Sequence, residues 1–243
     1  MKKIILGTSL VLALLAGCGS DKKSKVSFND IKIDYKTKGA YNLSEYIIPK
    51  QNQISNYVEN EYTNNNGKRD YSKKADEGSP SYTSSRFDVN NTTVKEFSDE
   101  TLDTTYSIST DRITSIDADD GSKETFVLFA DKGDYVMKEK VDDEDLGSVE
   151  VVCKLTNHYE SKKVSSKTYD DVIEVVCDID SYDSGKVGGS NIEVIGNGTN
   201  TKLFAKNKGL ISDIYDFCRQ TKSNGKKTED ICVKTTKEIT TIN

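Results

Sequence analysis

Val149-Glu150-Val151-Val152-Cys153-Lys154-Leu155 and Val172-Ile173-Glu174-Val175-Val176-Cys177-Asp178-Ile179 decide the fold. In the first, Val149, Val151, Cys153 and Leu155 share one face and Glu150 and Lys154 the other. In the second, Ile173, Val175, Cys177 and Ile179 share a face. A period of two is the signature of a strand buried on one side. Pairing the two segments antiparallel with Cys153 opposite Cys177 sets Val151 opposite Ile179, Leu155 opposite Val175 and Asn157 opposite Ile173, with the reversal near Ser165-Ser166. A directly opposed, non-hydrogen-bonded pair brings α-carbons to about 4.5 Å, within reach of a disulfide. One register therefore serves both the bridge and the apolar face.

The same alternation extends outward along the chain. Ile54 to Thr63 reaches the turn Asn64-Asn65-Asn66-Gly67, and Lys68 to Lys74 is expected to return beside it. Ser81 to Val89, Thr92 to Phe97, Leu102 to Ile108 and Arg112 to Ile116 follow as short strands, then Thr125 to Phe129 and Tyr135 to Met137, each bounded by Asn, Asp, Ser or Gly. Short connections make neighbours antiparallel. The expected class is mainly all-β: an antiparallel meander forming a curved sheet, half-barrel or open barrel, with at most one or two short helices. Tyr41 to Pro49 is a candidate helical turn or plug, ended by Pro49. Leu210, Ile211, Ile214, Tyr215 and Cys218 also fit helical spacing.

Besides Cys18 there are four cysteines, an even number that favours two disulfides and permits three pairings. With Cys153 and Cys177 joined, Cys218 and Cys232 pair across Asn224-Gly225, on the more polar face as an external clip. A redox or zinc site lacks its signature: there is no Cys-x-x-Cys, and His158 is the sole histidine.

The amino-terminal segment has the layout of a secretory signal, with Lys2 and Lys3 before the apolar run Ile4 to Ala16. That run is shorter than the roughly 20 residues a spanning helix needs. Leu15-Ala16-Gly17-Cys18 resembles the lipobox of bacterial lipoproteins. The resemblance implies cleavage before Cys18, a diacylglycerol thioether on its sulfur and acylation of the new amino terminus, giving a stable anchor of two or three chains. Gly19 after the cysteine, rather than aspartate, implies export to the outer membrane. The expected organisation is a signal peptide at 1–17, a lipidated flexible tether at 18–26 and one β-rich domain at 27–243.

Loss of Lys2 and Lys3 with the signal moves the formal charge from −6 by two units to −8. Acid in excess, without a basic block, argues against nucleic acid as a partner. His158 has no nucleophile motif nearby and reads as a solvated side chain, so no catalytic residue is assigned. Three acidic stretches, Asp117 to Glu124, Asp142 to Asp145 and Asp178 to Asp183, lack the calcium-loop spacing and read as turns; neither a metal nor a cofactor is expected.

Tyr169 to Ile173, a Tyr-x-Asp-Val-Ile strand, followed by Ala205 to Ile211, an Ala-Lys-x-x-Gly-Leu-Ile hairpin, resembles a group of bacterial secreted lipoproteins. That resemblance implies a curved antiparallel sheet, a half-barrel like that of lipoprotein carriers, and no catalytic residues. The functional expectation is a non-catalytic lipoprotein of the cell envelope, held to the membrane by its lipid, whose concave sheet receives a lipid or other apolar ligand. The alternative is an envelope protein-interaction or structural module, adhesin-like or an inhibitor.

Overall fold

The computed structural model describes residues 26–71, 78–90, 93–98, 100–143, 147–187 and 189–243. Cys18, the signal segment and nearly all of the tether lie outside the described residues. In chain order the elements are β1 (Tyr41–Asn42), α1 (Ser44–Ile47), β2 (Gln53–Asn64), β3 (Ser81–Asn90), β4 (Thr93–Ser98), β5 (Thr101–Ile108), β6 (Arg112–Asp117) and β7 (Lys123–Val127). They continue as β8 (Phe129–Ala130), β9 (Tyr135–Asp143), β10 (Gly147–Val164), β11 (Lys167–Val187), β12 (Ser190–Ala205), β13 (Gly209–Ser223) and β14 (Lys226–Ile242). A single turn of 3₁₀ helix, Phe28–Asp30, precedes them.

Twelve strands form one antiparallel sheet in the order β7-β6-β5-β4-β3-β2-β14-β13-β12-β11-β10-β9. Nearly every neighbour is also a neighbour in sequence, joined by a short polar turn except between β2 and β3, where residues 65–80 intervene; the exception to sequence order is β14, which returns beside β2. The sheet curls until its two edge strands, β7 and β9, lie side by side without ladder hydrogen bonds, so the barrel is nearly closed. The gap has a local cause. Between the two edges the chain leaves the sheet to pair β8 with β1, then turns through Asp131–Asp134, where Gly133 N–H donates to Leu155 O at 2.7 Å.

The central hairpin has the register that its cysteines require. Cys153 faces Cys177, Val151 faces Ile179 and Leu155 faces Val175, and the reversal falls at Ser165-Ser166 between Val164 and Lys167. The Cys153–Cys177 bridge is formed, with α-carbons 3.8 Å apart. Asn157, however, faces Glu174 and not Ile173, because a bulge at Thr156 inserts one residue. Glu174 stabilises the bulge: its Oε1 accepts from Thr156 Oγ1 at 2.7 Å and Asn157 Nδ2 at 3.0 Å, and its Oε2 from Tyr159 Oη at 2.9 Å. Burial works against ionisation there, but these donors hold the carboxyl below the usual range.

The helix-like spacing from Leu210 to Cys218 belongs to a strand. Leu203 faces Ser212 while Phe204 faces Leu210, so Ile211 is an extra residue in β13. That bulge shifts the phase of the alternation, and one apolar face before it joined to another after it imitates a period of 3.6. Hydrogen bonding to β12 and β14 on both sides decides the outcome.

Residues 68–71 likewise form no strand. They fold across the outward face of the sheet, where Arg69 Nε donates to Asp216 Oδ1 at 2.9 Å and Tyr71 Oη to the same oxygen at 2.8 Å. Beneath them lies the second bridge, Cys218–Cys232, on the face opposite Phe217. It is the expected pairing on the expected face, but it is buried, since this connection covers it.

The main core occupies the barrel interior, with Leu155, Ile173, Val175, Cys153 and Cys177 among its buried members. A smaller cluster forms where the tip of the β10–β11 hairpin packs Val164 with Leu203, Ile211 and Ile239. Outward positions carry charge, including the exposed Asp88, Lys95, Asp178 and Asp180. A barrel whose strands cross a bilayer has the opposite arrangement, with apolar residues outward. Among the described residues no helix is long and apolar enough to cross a membrane.

Candidate ligand cavity

Alternation along strands of a closed sheet sends every second side chain inward, and here the inward rows do not fill the barrel. A cavity of about 60 Å³ remains. Aromatic and apolar walls come from Tyr57 on β2, Phe87 on β3, Tyr106 on β5, Phe126 on β7, Met137 on β9 and Phe204 on β12, with the Cys153–Cys177 bridge between them. Four charged side chains also reach it: Glu96 from β4, Glu124 from β7, Lys202 from β12 and Lys237 from β14.

One end of the interior is filled by an aromatic ring lying on glycine. Gly196 and Gly198 of β12 lie against Phe217 of β13, and a Cβ at Gly198 would stand 2.8 Å from both the Phe217 ring and its α-carbon. Only hydrogen fits between them.

At another edge of the cavity Ile47 of α1 joins the wall. Its segment is the plug expected between Tyr41 and Pro49, with Leu43 and Tyr46 buried. Asp171, in the left-handed region at φ 52°, gathers the contacts that hold it. Its Oδ1 accepts from Tyr46 Oη at 2.7 Å and lies 2.8 Å from His158 Nε2, and Lys206 Nζ is 3.2 Å from Oδ2 and from Glu45 Oε2. Although burial opposes it, these partners hold the Asp171 carboxyl below its ordinary range. His158 is therefore not a freely solvated side chain: its ring stands 5.0 Å from that of Tyr41 and completes the latch.

The interior charges are unevenly matched. Lys202 Nζ is paired with Asp213 Oδ2 at 2.8 Å, both buried. Glu96 accepts from Tyr106 Oη at 2.8 Å, and burial pushes its carboxyl up. Glu124 is pushed up to about 8, first by burial and then by the neighbouring carboxylate of Glu139 across the β7/β9 seam. Burial likewise raises Glu139, to about 6. Lys237 is pushed down by burial, although Glu96, Glu59 and Asp213 oppose that shift, and its ammonium lies 4.6 Å from the centre of the Tyr57 ring. Ser115 Oγ, buried in the wall, has no hydrogen-bond partner in normal geometry, although its proximity to Glu124 tempers the rise of that carboxyl.

No group of three or more His, Cys, Asp or Glu side chains is arranged to hold a metal among the described residues. In the first acidic stretch Asp117 Oδ1 caps its own turn, accepting from the N–H groups of Asp119 at 2.6 Å and Asp120 at 3.2 Å. Asp142 and Asp143 end β9, and the two acidic residues after them lie outside the described residues.

The disulfide cysteines are thus placed as structural staples, one facing the cavity and one under a loop. The four inward charges were missed by sequence reasoning. The signal was present in Glu124 with Phe126 and in Lys202 with Phe204: residues two apart in a strand share a face, so each charge travels inward with its aromatic neighbour. The chain matches no protein-family model and no curated protein.

Proposed function

We propose that this chain is a non-catalytic lipoprotein of the cell envelope, anchored through Cys18, whose barrel holds a small ligand with an apolar body. The observation that carries this reading is the cavity itself: an unfilled space inside a well-packed barrel, walled by aromatics and reached by a few convergent polar groups, has the make-up of a binding site. Its size narrows the ligand. A cavity of roughly 150 Å³ takes benzene, so about 60 Å³ suits a molecule smaller than an acyl chain. The concave sheet is thereby read as a compartment for a small molecule. His158 and Asp171 are committed to the plug latch, which supports a binding role over a catalytic one.

Anchor and compartment are tested together. Labelled palmitate fed to a bacterium that expresses the full chain should appear in the protein, and Cys18→Ser should abolish that label with both disulfides intact. Mass spectrometry of the protein denatured after native purification should release one small molecule in near-stoichiometric amount. Absence of the label from the wild type, or its persistence in Cys18→Ser, would overturn the anchor; release of nothing would overturn the compartment.

A further inference from the structure

Aromatic rings and carboxylates surround the cavity together, and that combination has a specific chemistry. The face of an aromatic ring attracts a cation, more strongly when water is excluded, and a carboxylate supplies the counter-charge. Tyr57, Tyr106, Phe87, Phe126 and Phe204 present rings to one small space. The protein already uses one of them in this way, holding the Lys237 ammonium at the Tyr57 ring.

Inward-directed acids also outnumber inward-directed bases. Lys202 is neutralised by Asp213, and Lys237 sits among Glu59, Glu96 and Asp213. That leaves Glu124 of β7, which has Glu139 of β9 as a like-charged neighbour and Lys202 as its one cationic influence. Glu124 is 9% exposed, faces the cavity and makes no ion pair among the described contacts. Beside it Ser115, only 4% exposed, lines the same wall, its hydroxyl close enough to Glu124 to temper the rise of that carboxyl. Rings and a carboxyl without a cationic partner of its own, gathered round one small space, suit a ligand that carries positive charge.

We propose that the ligand of this barrel is a small organic cation, an alkylammonium caged by the aromatic walls with Glu124 as its counter-ion and Ser115 Oγ as an acceptor. This rests on the reading of the cavity as a binding compartment and names the chemical class it selects. The volume, about the share of two water molecules, favours a head of the size of methylammonium. A cation beside Glu124 favours its ionised form, opposing the burial and the Glu139 repulsion that raise it, so binding near pH 7 expels a proton. The other charges facing that carboxyl and its cavity are Lys202, Glu96 and Lys237, already placed above.

The test titrates the purified full chain with methylammonium, trimethylammonium and tetramethylammonium chlorides. The methyl resonance of Met137, a residue of the cavity wall, is the probe. Sodium chloride controls for ionic strength, and tert-butanol and acetate serve as uncharged and anionic counterparts. The expected result is saturable movement with at least one ammonium and none with acetate, with binding heats that change with the ionisation enthalpy of the buffer. Glu124→Gln should weaken ammonium binding about tenfold or more, the scale of a charge-assisted contact, while Lys237→Met should tighten it by removing a competing positive charge. Equal binding of tert-butanol and the ammonium ions, or preference for acetate, would overturn the cation while leaving the compartment in place. No movement with any probe would overturn both. A Glu124→Gln variant that folds and binds the ammonium unchanged would overturn the assigned counter-ion.

Discussion

Glu124→Gln makes the barrel more stable at pH 8 by about 4 kcal/mol and nearly leaves stability unchanged at pH 4.5. The cause is a carboxyl 9% exposed on the inner face of an edge strand, pushed up to about 8 by burial and by Glu139. A group whose pKa is higher in the folded than in the unfolded chain binds more protons when folded. Its favourable contribution is complete below the unfolded value near 4.5 and disappears as pH rises through about 8. Glu96, raised by burial, and Glu139, raised to about 6, act in the same direction. Urea unfolding at half-unit steps from pH 4.5 to 8 should therefore show wild-type stability falling, with a much shallower slope in the variant, since glutamine resembles the protonated acid. Parallel slopes would mean that Glu124 ionises freely and does not face a closed interior.

Removing the Cys153–Cys177 bridge by a double replacement with alanine costs about 3 kcal/mol or more. Loop closure over a separation of 24 residues accounts for about 3.5 kcal/mol in the chain-entropy account. Deleting two side chains that are almost fully buried in the cavity wall adds a packing loss. The Cys218–Cys232 bridge closes a separation of 14 and contributes about 3 kcal/mol by the same reckoning. Its removal also leaves the covering 64–71 segment, so the two double variants separate by their effect on the cavity: only the first should alter the environment of Met137, whose strand position lies directly opposite Cys153. Denaturant midpoints give the stabilities, and equal perturbation of Met137 by both variants would contradict this division of roles.

Much of this architecture could be read from residues. Alternation bounded by Asn, Asp and Gly located β3 through β6 almost to the residue, since a strand with one apolar face and a tight polar turn leaves few alternatives. Cys153 and Cys177 fixed the central register because covalent geometry and apolar pairing agree there. The failures came where one residue changes phase. The extra Ile211 disguised β13 as a helix, and the extra residue at Thr156 displaced Asn157 from Ile173. Burial of Cys218 and Cys232 was hidden for a different reason: contact between Arg69 and Asp216 spans 147 positions, and no local pattern encodes it.

The cavity itself was the least legible feature. Glu96, Glu124, Lys202 and Lys237 look like solvent-facing charges in a half-polar strand, and only the aromatic neighbours two residues from Glu124 and Lys202 mark their face as the inward one. Whether a barrel encloses space or is filled depends on the sum of side-chain volumes around twelve strands, which no single segment specifies. The plug illustrates the same point at one remove. Tyr46 and His158 are unremarkable in sequence and meet only because Asp171 lies between the elements that carry them.

The central claim is that the barrel is an occupied compartment, and Met137 reports on it most directly because its side chain forms part of the cavity wall. The protein labelled with ¹³C-methyl methionine is compared as natively purified and after unfolding, dialysis and refolding with the disulfides kept oxidised. The prediction is a Met137 methyl resonance that differs between the two preparations and returns to its first position when the small-molecule extract of the native protein is added back. Identical spectra before and after stripping, unmoved by the extract, would contradict it.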